Sequence, residues 1–324
     1  MRREVLGLAA SEHRSHALHG EGRVWLESNC YVDLWIETLH ALELDPVSCL
    51  AFTLGTGFDG DQWRMFKYPT EDLRRMFGID VAEINVWRPL VDHVDEQLGL
   101  GRMLAVDVDA WHLPDTAGTT YHCARQKTTI MAQMIDPGAR RLGYFHNAGY
   151  YELGGDDYDG VLGLGAYEDC ERLPPYVEAV NLERLRAPGD GGVALALELV
   201  AEHLARRSPS NPIGELRKRL AADLPWLGGA GIDTFHRYAF GTFRQCGANA
   251  ELAAELVGWL ERHGEDGLQG PAAELFEVAE GVKALQLRAA RVVRGRDVDL
   301  EESFGELELR WERALRTLDR RYGS

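Results

Sequence analysis

Cys30 occupies a position in the sequence where a thiol can become a nucleophile. It is followed by a run in which apolar residues recur at helical spacing: Val32, Trp35, Ile36, Leu39 and Leu42. Ser28 and Asn29 are types that cap helices, so we expect a helix to begin within a residue or two of Cys30. The N–H groups of a first helical turn stabilise a thiolate, the reactive form of cysteine. The alternative is a buried structural cysteine, which packs as a small apolar residue.

A nucleophilic cysteine needs a base within reach of its sulfur and a third group that orients the base. His122 and His146 are the candidate bases downstream of Cys30, and Asn147 or Asp109 are the candidate orienting groups. The alternative for each histidine is a hydrogen-bonded structural role, which is the commoner one.

The sequence predicts two domains that meet where Pro188-Gly-Asp-Gly-Gly192 interrupts the chain. Residues 1–187 mix helical patterns with β-rich runs, and residues 188–324 are helical almost throughout. We expect an α+β fold with an all-α C-terminal domain. The predicted N-terminal helices are 30–42, 46–54, 70–77 and 89–98, and the predicted strands are 102–108, 128–135 and 141–147. The last two strands flank the turn signal Asp136-Pro-Gly138 and are predicted to form a hairpin.

Four segments resemble a bacterial family catalogued only as a domain of unknown function: Leu18 to Asp33, Gly60 to Lys67, Asp107 to Asp115, and Tyr144 to Leu153. The similarity extends over nearly the whole chain and is strongest between Leu18 and Leu153. More distantly, the layout resembles the acyltransferase family of butirosin biosynthesis, which joins a papain-like cysteine-protease domain to a helical C-terminal part. The resemblance implies a papain-like N-terminal domain. The unknown-function family is often encoded beside carrier proteins and amino acid ligases, so the resemblance also implies thioester chemistry.

Only part of the butirosin-type pattern is matched by residues of this chain. Cys30 corresponds to the nucleophile, and Asn147, at the end of the second hairpin strand, corresponds to the residue that orients the base. The family has a histidine where the first hairpin strand opens, whereas this chain has Lys127. Either His122 or His146 replaces that histidine, or Cys30 works without an imidazole, beside Lys127.

We therefore predict a cysteine-dependent acyl or aminoacyl transferase. Cys30 would take the acyl group from the phosphopantetheine thioester of an acyl or peptidyl carrier protein and pass it to a small-molecule amine or to a thiol. The Cys30 N–H and the Asn29 side chain would stabilise the oxyanion. No cofactor is expected beyond the phosphopantetheine of the carrier. The predicted substrate-binding residues also include Asp59, Asp61, Gln62, Trp63, Lys67, Asp109 and Lys127.

Two alternatives remain open. In the first, a degenerate protease-like fold only binds a carrier protein or partner enzyme, which would be consistent with the missing strand-opening histidine. In the second, a metal-dependent enzyme uses the segment from Asp107 to His122, with Asp109, His112 and Asp115 as further ligands. The spacing of that segment matches no standard metal motif.

Composition excludes several other classes of protein. The net charge of −17 argues against nucleic acid as the main partner, because phosphate binding needs a basic surface. An acidic partner would need a local basic patch such as Arg74-Arg75 or Arg140-Arg141. Five scattered cysteines without a CxxC spacing indicate neither a disulfide framework nor a structural zinc site. With no run of roughly 18 apolar residues, and with an N-terminal apolar run too short for a signal peptide, we expect no membrane partner and a cytoplasmic location.

Overall fold

The computed structural model describes residues 1–26, 29–168 and 173–323. The chain forms two compact units. The first consists of Met1–Gly20, Cys30–Leu44 and Pro69–Ala187, and the second consists of Glu21–Asn29, Asp45–Tyr68 and Pro188–Ser324. One boundary between the units falls after Ala187. Two N-terminal stretches, Glu21–Asn29 and Asp45–Tyr68, belong to the second unit, and composition alone gives no sign of this.

An antiparallel β-sheet forms the centre of the first unit. Its strands are β1 (Arg3–Glu4), β2 (Asp80–Glu83), β3 (Arg102–Asp109), β4 (Lys127–Asp136), β5 (Arg141–His146), β6 (Gly149–Gly154) and β7 (Val177–Asn181). The order across the sheet is β2-β7-β3-β4-β5-β6, and β1 pairs with the end of β4. The predicted hairpin is confirmed, because β4 and β5 pair antiparallel.

The helices of the first unit are α1 (Cys30–Ala41), α3 (Thr70–Phe77), α4 (Leu90–Gly99) and α5 (Asp156–Leu162). The second unit contains the short helix α2 (Phe52–Gly55) and, after residue 188, only helices among its described elements: α6 (Gly192–Ala205), α7 (Pro212–Ala230), α8 (Ile232–Ala239), α9 (Gln245–Arg262), α10 (Gln269–Val293) and α11 (Glu301–Tyr322). A π-helical segment, Phe240–Arg244, joins α8 to α9. The mixed α/β character and the helical C-terminal half agree with the sequence expectation.

Both faces of the sheet are covered, which explains why β4 is buried at nearly every position. Successive residues of a strand point to opposite faces. Leu104, Ile130 and Tyr144 point to one face, where they join a core that includes Val94 of α4 and Tyr158 of α5. Met131 and Phe145, which pair across β4 and β5, point to the other face. Helix α1 packs against β4 and β5 on that second face.

The predicted helix 46–54 is interrupted. Pro46–Cys49 is a 3-10 turn, and α2 begins only at Phe52. Asp45 caps the turn by accepting a hydrogen bond from the Val47 N–H at 3.0 Å. Pro46 supplies the fixed φ that starts such a turn, and its missing N–H costs nothing at this first position. Among the described residues, no helix combines the length and apolar character needed to cross a bilayer.

Candidate functional site

Cys30 is the first residue of α1, as the sequence predicts. Its thiol is free and half-buried. The backbone N–H groups of a first helical turn have no partner within the helix, so they are available to an anion at this end. Residues three and seven positions further along lie on the same face as Cys30, and in α1 these are Asp33 and Glu37. The proposed cap Ser28 lies outside the described residues.

The face of α1 that continues from Cys30 carries a buried network of histidines and carboxylates. Nε2 of His19 lies 3.2 Å from Oδ1 of Asp33, and Nδ1 of His19 contacts Oε1 of Glu37. Nε2 of His13 lies 2.7 Å from Oε2 of Glu37, and the His16 backbone N–H donates to Oε1 of Glu37 at 3.0 Å. The side chains of His19 and Glu37 are fully buried. The N-terminal segment is therefore held against α1 by ionic hydrogen bonds.

The network shifts the titration of both central groups. Burial alone would lower the pKa of His19, but the hydrogen bonds and charges of Asp33 and Glu37 outweigh it and raise that pKa to about 9. Burial alone would raise the pKa of Glu37, but His13 and His19 lower it to about 2. Near neutral pH, His19 is thus a buried imidazolium between two carboxylates. Its two ring nitrogens both have carboxylate partners.

Sequence reasoning did not single out this network. The available signals were the spacing of His13, His16 and His19 at every third position, and the i,i+4 spacing of Asp33 and Glu37 inside an otherwise apolar helix. Charged residues on the buried side of a helix need partners. That requirement could have directed attention to the nearby histidines.

His146 lies on the sheet face away from α1. It follows Phe145 in β5, and Phe145 is on the α1 side, where the His13 ring packs against it at 5.7 Å. The His146 side chain is buried between Asp115 and Thr128, with Nδ1 2.6 Å from Oδ2 of Asp115 and Nε2 2.8 Å from Oγ1 of Thr128. This arrangement does not bring His146 to the helix that begins with Cys30.

Asn147 and His122 are both in left-handed backbone conformations, with φ of 46° and 53°. Asn147 lies in the turn between β5 and β6, where asparagine tolerates this conformation better than most residues. His122 is exposed, and its Nε2 lies 3.4 Å from Oδ1 of Asp157, a residue of α5. The requirements of the turn therefore account for Asn147 in structural terms.

Asp109 and Lys127 lie at the adjoining ends of β3 and β4, where they are register partners. The carboxylate of Asp109 accepts from the Arg125 guanidinium at 2.7 Å and from the Trp111 N–H at 3.1 Å. Burial opposes ionisation of this carboxyl, but these bonds prevail and lower its pKa. The ammonium of Lys127 is exposed and lies 2.6 Å from the Asp107 carboxylate. Both predicted binding residues thus have ionic partners of their own.

The α1 side of the sheet also has polar residues. Tyr31, in the first turn of α1, donates to Oε2 of Glu178 at 2.5 Å, and Tyr176 donates to the other oxygen at 2.8 Å. Glu178 of β7 pairs with Ala105 of β3, two residues before Asp107. Burial, and then the charge of Glu178, raise the pKa of Tyr31 far above its usual value. Tyr31 is therefore a permanent donor that fixes the start of α1 on the sheet.

The remaining predicted binding residues belong to the second unit. The Asn29 side chain is buried there, and its amide donates to the Phe66 carbonyl at 2.8 Å and to Oε1 of Gln245 at 3.3 Å. In this conformation those bonds occupy the donors that an oxyanion would require. Trp63 is fully buried and packs edge to face on Trp311, with ring centroids 5.8 Å apart. Trp63 is therefore a core residue.

The four other predicted residues of this stretch are exposed: Asp59, Asp61, Gln62 and Lys67. Asp59 forms a bidentate ion pair with Arg64 at 2.8 and 2.9 Å. The Asp59 N–H donates to the Gln62 carbonyl, which closes the small turn that contains Asp61. Their assignment to an acyl or amino acid pocket stays a prediction.

The protein thus combines a mixed α/β unit, in which a cysteine begins a helix, with an all-helical part that follows in sequence. The chain belongs to the DUF1839 family. The model of the DUF1839 N-terminal domain matches residues 14–182, and the model of the DUF1839 C-terminal domain matches residues 191–320. The first match includes Cys30, His19, Asp33 and Glu37. No curated protein matches the chain.

Proposed function

We propose that this chain is a cysteine-dependent acyl or aminoacyl transferase with a papain-like N-terminal domain. Cys30 would accept the acyl group from the phosphopantetheine thioester of a carrier protein and transfer it to a small-molecule amine or to a thiol. The observation that supports this most directly is the half-buried free thiol of Cys30 at the first position of a twelve-residue helix. The N–H groups of the first helical turn have no partner within the helix, so they can interact with a group bound to the Cys30 sulfur.

The chemistry consists of two acyl exchanges. In the first, the Cys30 sulfur bonds to the thioester carbon, the bond to phosphopantetheine sulfur breaks, and the departing thiolate takes up the proton that Cys30 gave up. In the second, the acceptor attacks the new thioester and the Cys30 sulfur leaves as the thiolate, which takes up the acceptor proton. The N–H groups at the start of α1 would stabilise the oxyanion in both steps. Proton gain and loss balance within each exchange, and water would carry the proton from one group to the other.

The network of His13, His19, Asp33 and Glu37 would position the nucleophile without accepting its proton. Both nitrogens of His19 are engaged by carboxylates, so His19 has no free position for a thiol proton. Asp33 lies one helical turn from Cys30 on the same face. The ion pairs would fix that turn and so keep the Cys30 sulfur in one position during both acyl exchanges.

The proposed carrier protein would dock on an arginine cluster of the first unit. Arg74, Arg75, Arg184 and Arg186 line one surface pocket of about 310 Å³ together with Gly78 and Asp80. Arg74 of this cluster pairs with Glu71. In the other basic pair expected from the sequence, both arginines pair with carboxylates: Arg140 with Asp156 and Asp159, and Arg141 with Glu152. An acidic carrier would be attracted to the arginine cluster in spite of the net charge of −17.

A second candidate function is a module that binds a carrier protein without catalysis. The burial of His146 on the face away from α1 favours it, because one of the two candidate bases then does not face the Cys30 side of the sheet. Carrier binding would occur under both hypotheses, so binding does not discriminate between them. Covalent transfer to Cys30 does.

The test is intact-protein mass spectrometry after incubation with carrier proteins loaded with different amino acids or acyl groups. We expect an acyl adduct on the wild type and on Cys123→Ser, and none on Cys30→Ala. Cys123 is a matched control because it is an exposed free thiol that does not begin a helix. An adduct that still forms on Cys30→Ala would refute transfer through Cys30. So would the absence of an adduct on the wild type with every donor.

A further inference from the structure

A cluster of two histidines and one carboxylate lies apart from Cys30, on the α5 side of the sheet. His112 ends the 3-10 turn Ala110–His112 that follows β3, His122 lies in the loop before β4, and Asp157 belongs to the first turn of α5. One side-chain ligand atom from each residue lies within 4.8 Å of those from the other two. Three separate segments of chain therefore converge on one small volume.

The buried member of the cluster has an unsatisfied nitrogen. His112 is 3% exposed, and its Nδ1 has no hydrogen-bond partner among the described residues. Leaving such a group unpaired in the interior costs free energy, so an orphan of this kind needs an explanation.

The exposed His122 and the half-buried Asp157 are held in place by Tyr121. Its ring stacks on the His122 ring at 4.0 Å, and its hydroxyl donates to Oδ2 of Asp157 at 2.9 Å. The other carboxylate oxygen, Oδ1, faces Nε2 of His122 at 3.4 Å. A second-layer hydrogen bond to a carboxylate is the usual way in which proteins orient a metal ligand.

We propose that His112, His122 and Asp157 bind a divalent transition-metal ion. Two imidazole nitrogens with one carboxylate oxygen suit Zn²⁺, Co²⁺, Ni²⁺ or Fe²⁺, whereas Mg²⁺ and Ca²⁺ prefer oxygen ligands alone. Three protein ligands leave at least one coordination position for water or a substrate.

This ligand set differs from the one suggested by the sequence segment Asp107 to His122. The structure retains His112 and His122 from that set but engages its three carboxylates elsewhere. Asp107 binds Lys127, Asp109 binds Arg125, and Asp115 binds His146. Asp157, which is 35 residues beyond His122, takes their place. No sequence motif of standard length would include it.

Cobalt is the probe for this site, because Co²⁺ bound by nitrogen and oxygen ligands in a low-symmetry site gives visible absorption bands. We expect the wild type to bind one equivalent of Co²⁺ and to release it on addition of Zn²⁺. His122→Ala and Asp157→Asn each remove a ligand, so their affinity should fall by more than the roughly 10–100-fold typical of losing a second-layer partner. His236→Ala is the matched control, an exposed histidine of the second unit.

Two further measurements, an absorption spectrum and a melting temperature, complete the experiment. Cys123→Ser should keep the same bands, because the proposed site contains no thiolate. Zn²⁺ should raise the melting temperature of the wild type and of His236→Ala but not of His122→Ala, and circular dichroism of the apo variants checks that they fold. Absence of stoichiometric Co²⁺ binding by the wild type, or unchanged affinity in both ligand variants, would overturn the proposal.

Discussion

Raising the pH from 6.5 to 9 is expected to destabilise the first unit through His19. Its pKa is about 9 in the folded chain and 6.5 as the ordinary value for an unfolded one. Between these values the folded chain holds a proton that the unfolded chain has lost, so the free energy of unfolding falls by about 1.4 kcal/mol per pH unit. Over this interval the loss is about 3 kcal/mol, a large part of the roughly 5–15 kcal/mol typical of a domain.

The low-pH limit has the opposite sign. The pKa of Glu37 is depressed from 4.5 to about 2, so its contribution is present above pH 4.5 and is lost as the pH falls through 2. The network therefore stabilises the fold most between about pH 4.5 and 6.5, where Glu37 is ionised and His19 is protonated in both states. The two groups are coupled, so their separate contributions do not add.

The assay is urea unfolding, followed by far-ultraviolet circular dichroism at several pH values. His19→Gln keeps a hydrogen-bonding side chain of similar length but cannot titrate. The difference in slope between the wild type and this variant isolates His19, and His236→Gln controls for an exposed histidine. Because the variant removes the His19 imidazolium from two buried carboxylates, nuclear magnetic resonance titration of the wild-type His19 ring provides a second measurement. Equal slopes in both proteins, or a ring that titrates near 6.5, would refute the reasoning.

Two further predictions concern His146 and the arginine cluster of the first unit. His146→Ala should cost about 2–4 kcal/mol of stability, since it leaves Asp115 and Thr128 without their buried partner. Acylation of Cys30 should nevertheless persist in the folded variant, and its loss there would contradict the placement of His146 away from α1. Replacing Arg75 and Arg184 by Glu should slow transfer from the carrier by about tenfold or more at low salt, with the difference shrinking as salt rises. The same charge change at Arg313 and Arg316 of α11 should have little effect on the rate, and an equal loss there would exclude specific docking.

Elements with strong periodicity could be predicted from sequence, and those that depend on long-range pairing could not. The spacing of apolar residues correctly predicts α1, α3, β3 and the β4–β5 hairpin within a residue or two. β2 and β7 escape such analysis because each is short and is stabilised by pairing with the other strand, about 100 residues away in sequence. Helix α5 begins with Asp156-Asp157 and contains Gly160, a composition with weak helical propensity.

The candidate site shows the same division. The start of α1 at Cys30 depends on local signals and was predictable. The side of the sheet on which His146 would lie was not, because alternation in β5 gives two faces without saying which one α1 covers. The His19 network requires the N-terminal segment to fold back on α1, and that contact is a property of tertiary structure.

Neighbouring residues of a strand point to opposite faces of the sheet, so the groups that they contact are kept apart. A thiolate is an excellent ligand for zinc and its relatives, so a reactive cysteine and a loosely held metal ion tend to inactivate each other when they share a cavity. The proposed metal ligands and Cys30 belong to opposite sides of the β-sheet: helix α1 packs against β5 on the Phe145 side, and His112 packs against Gly160 of α5 on the Tyr144 side. The sheet would keep a metal ion at the proposed site away from the Cys30 thiol.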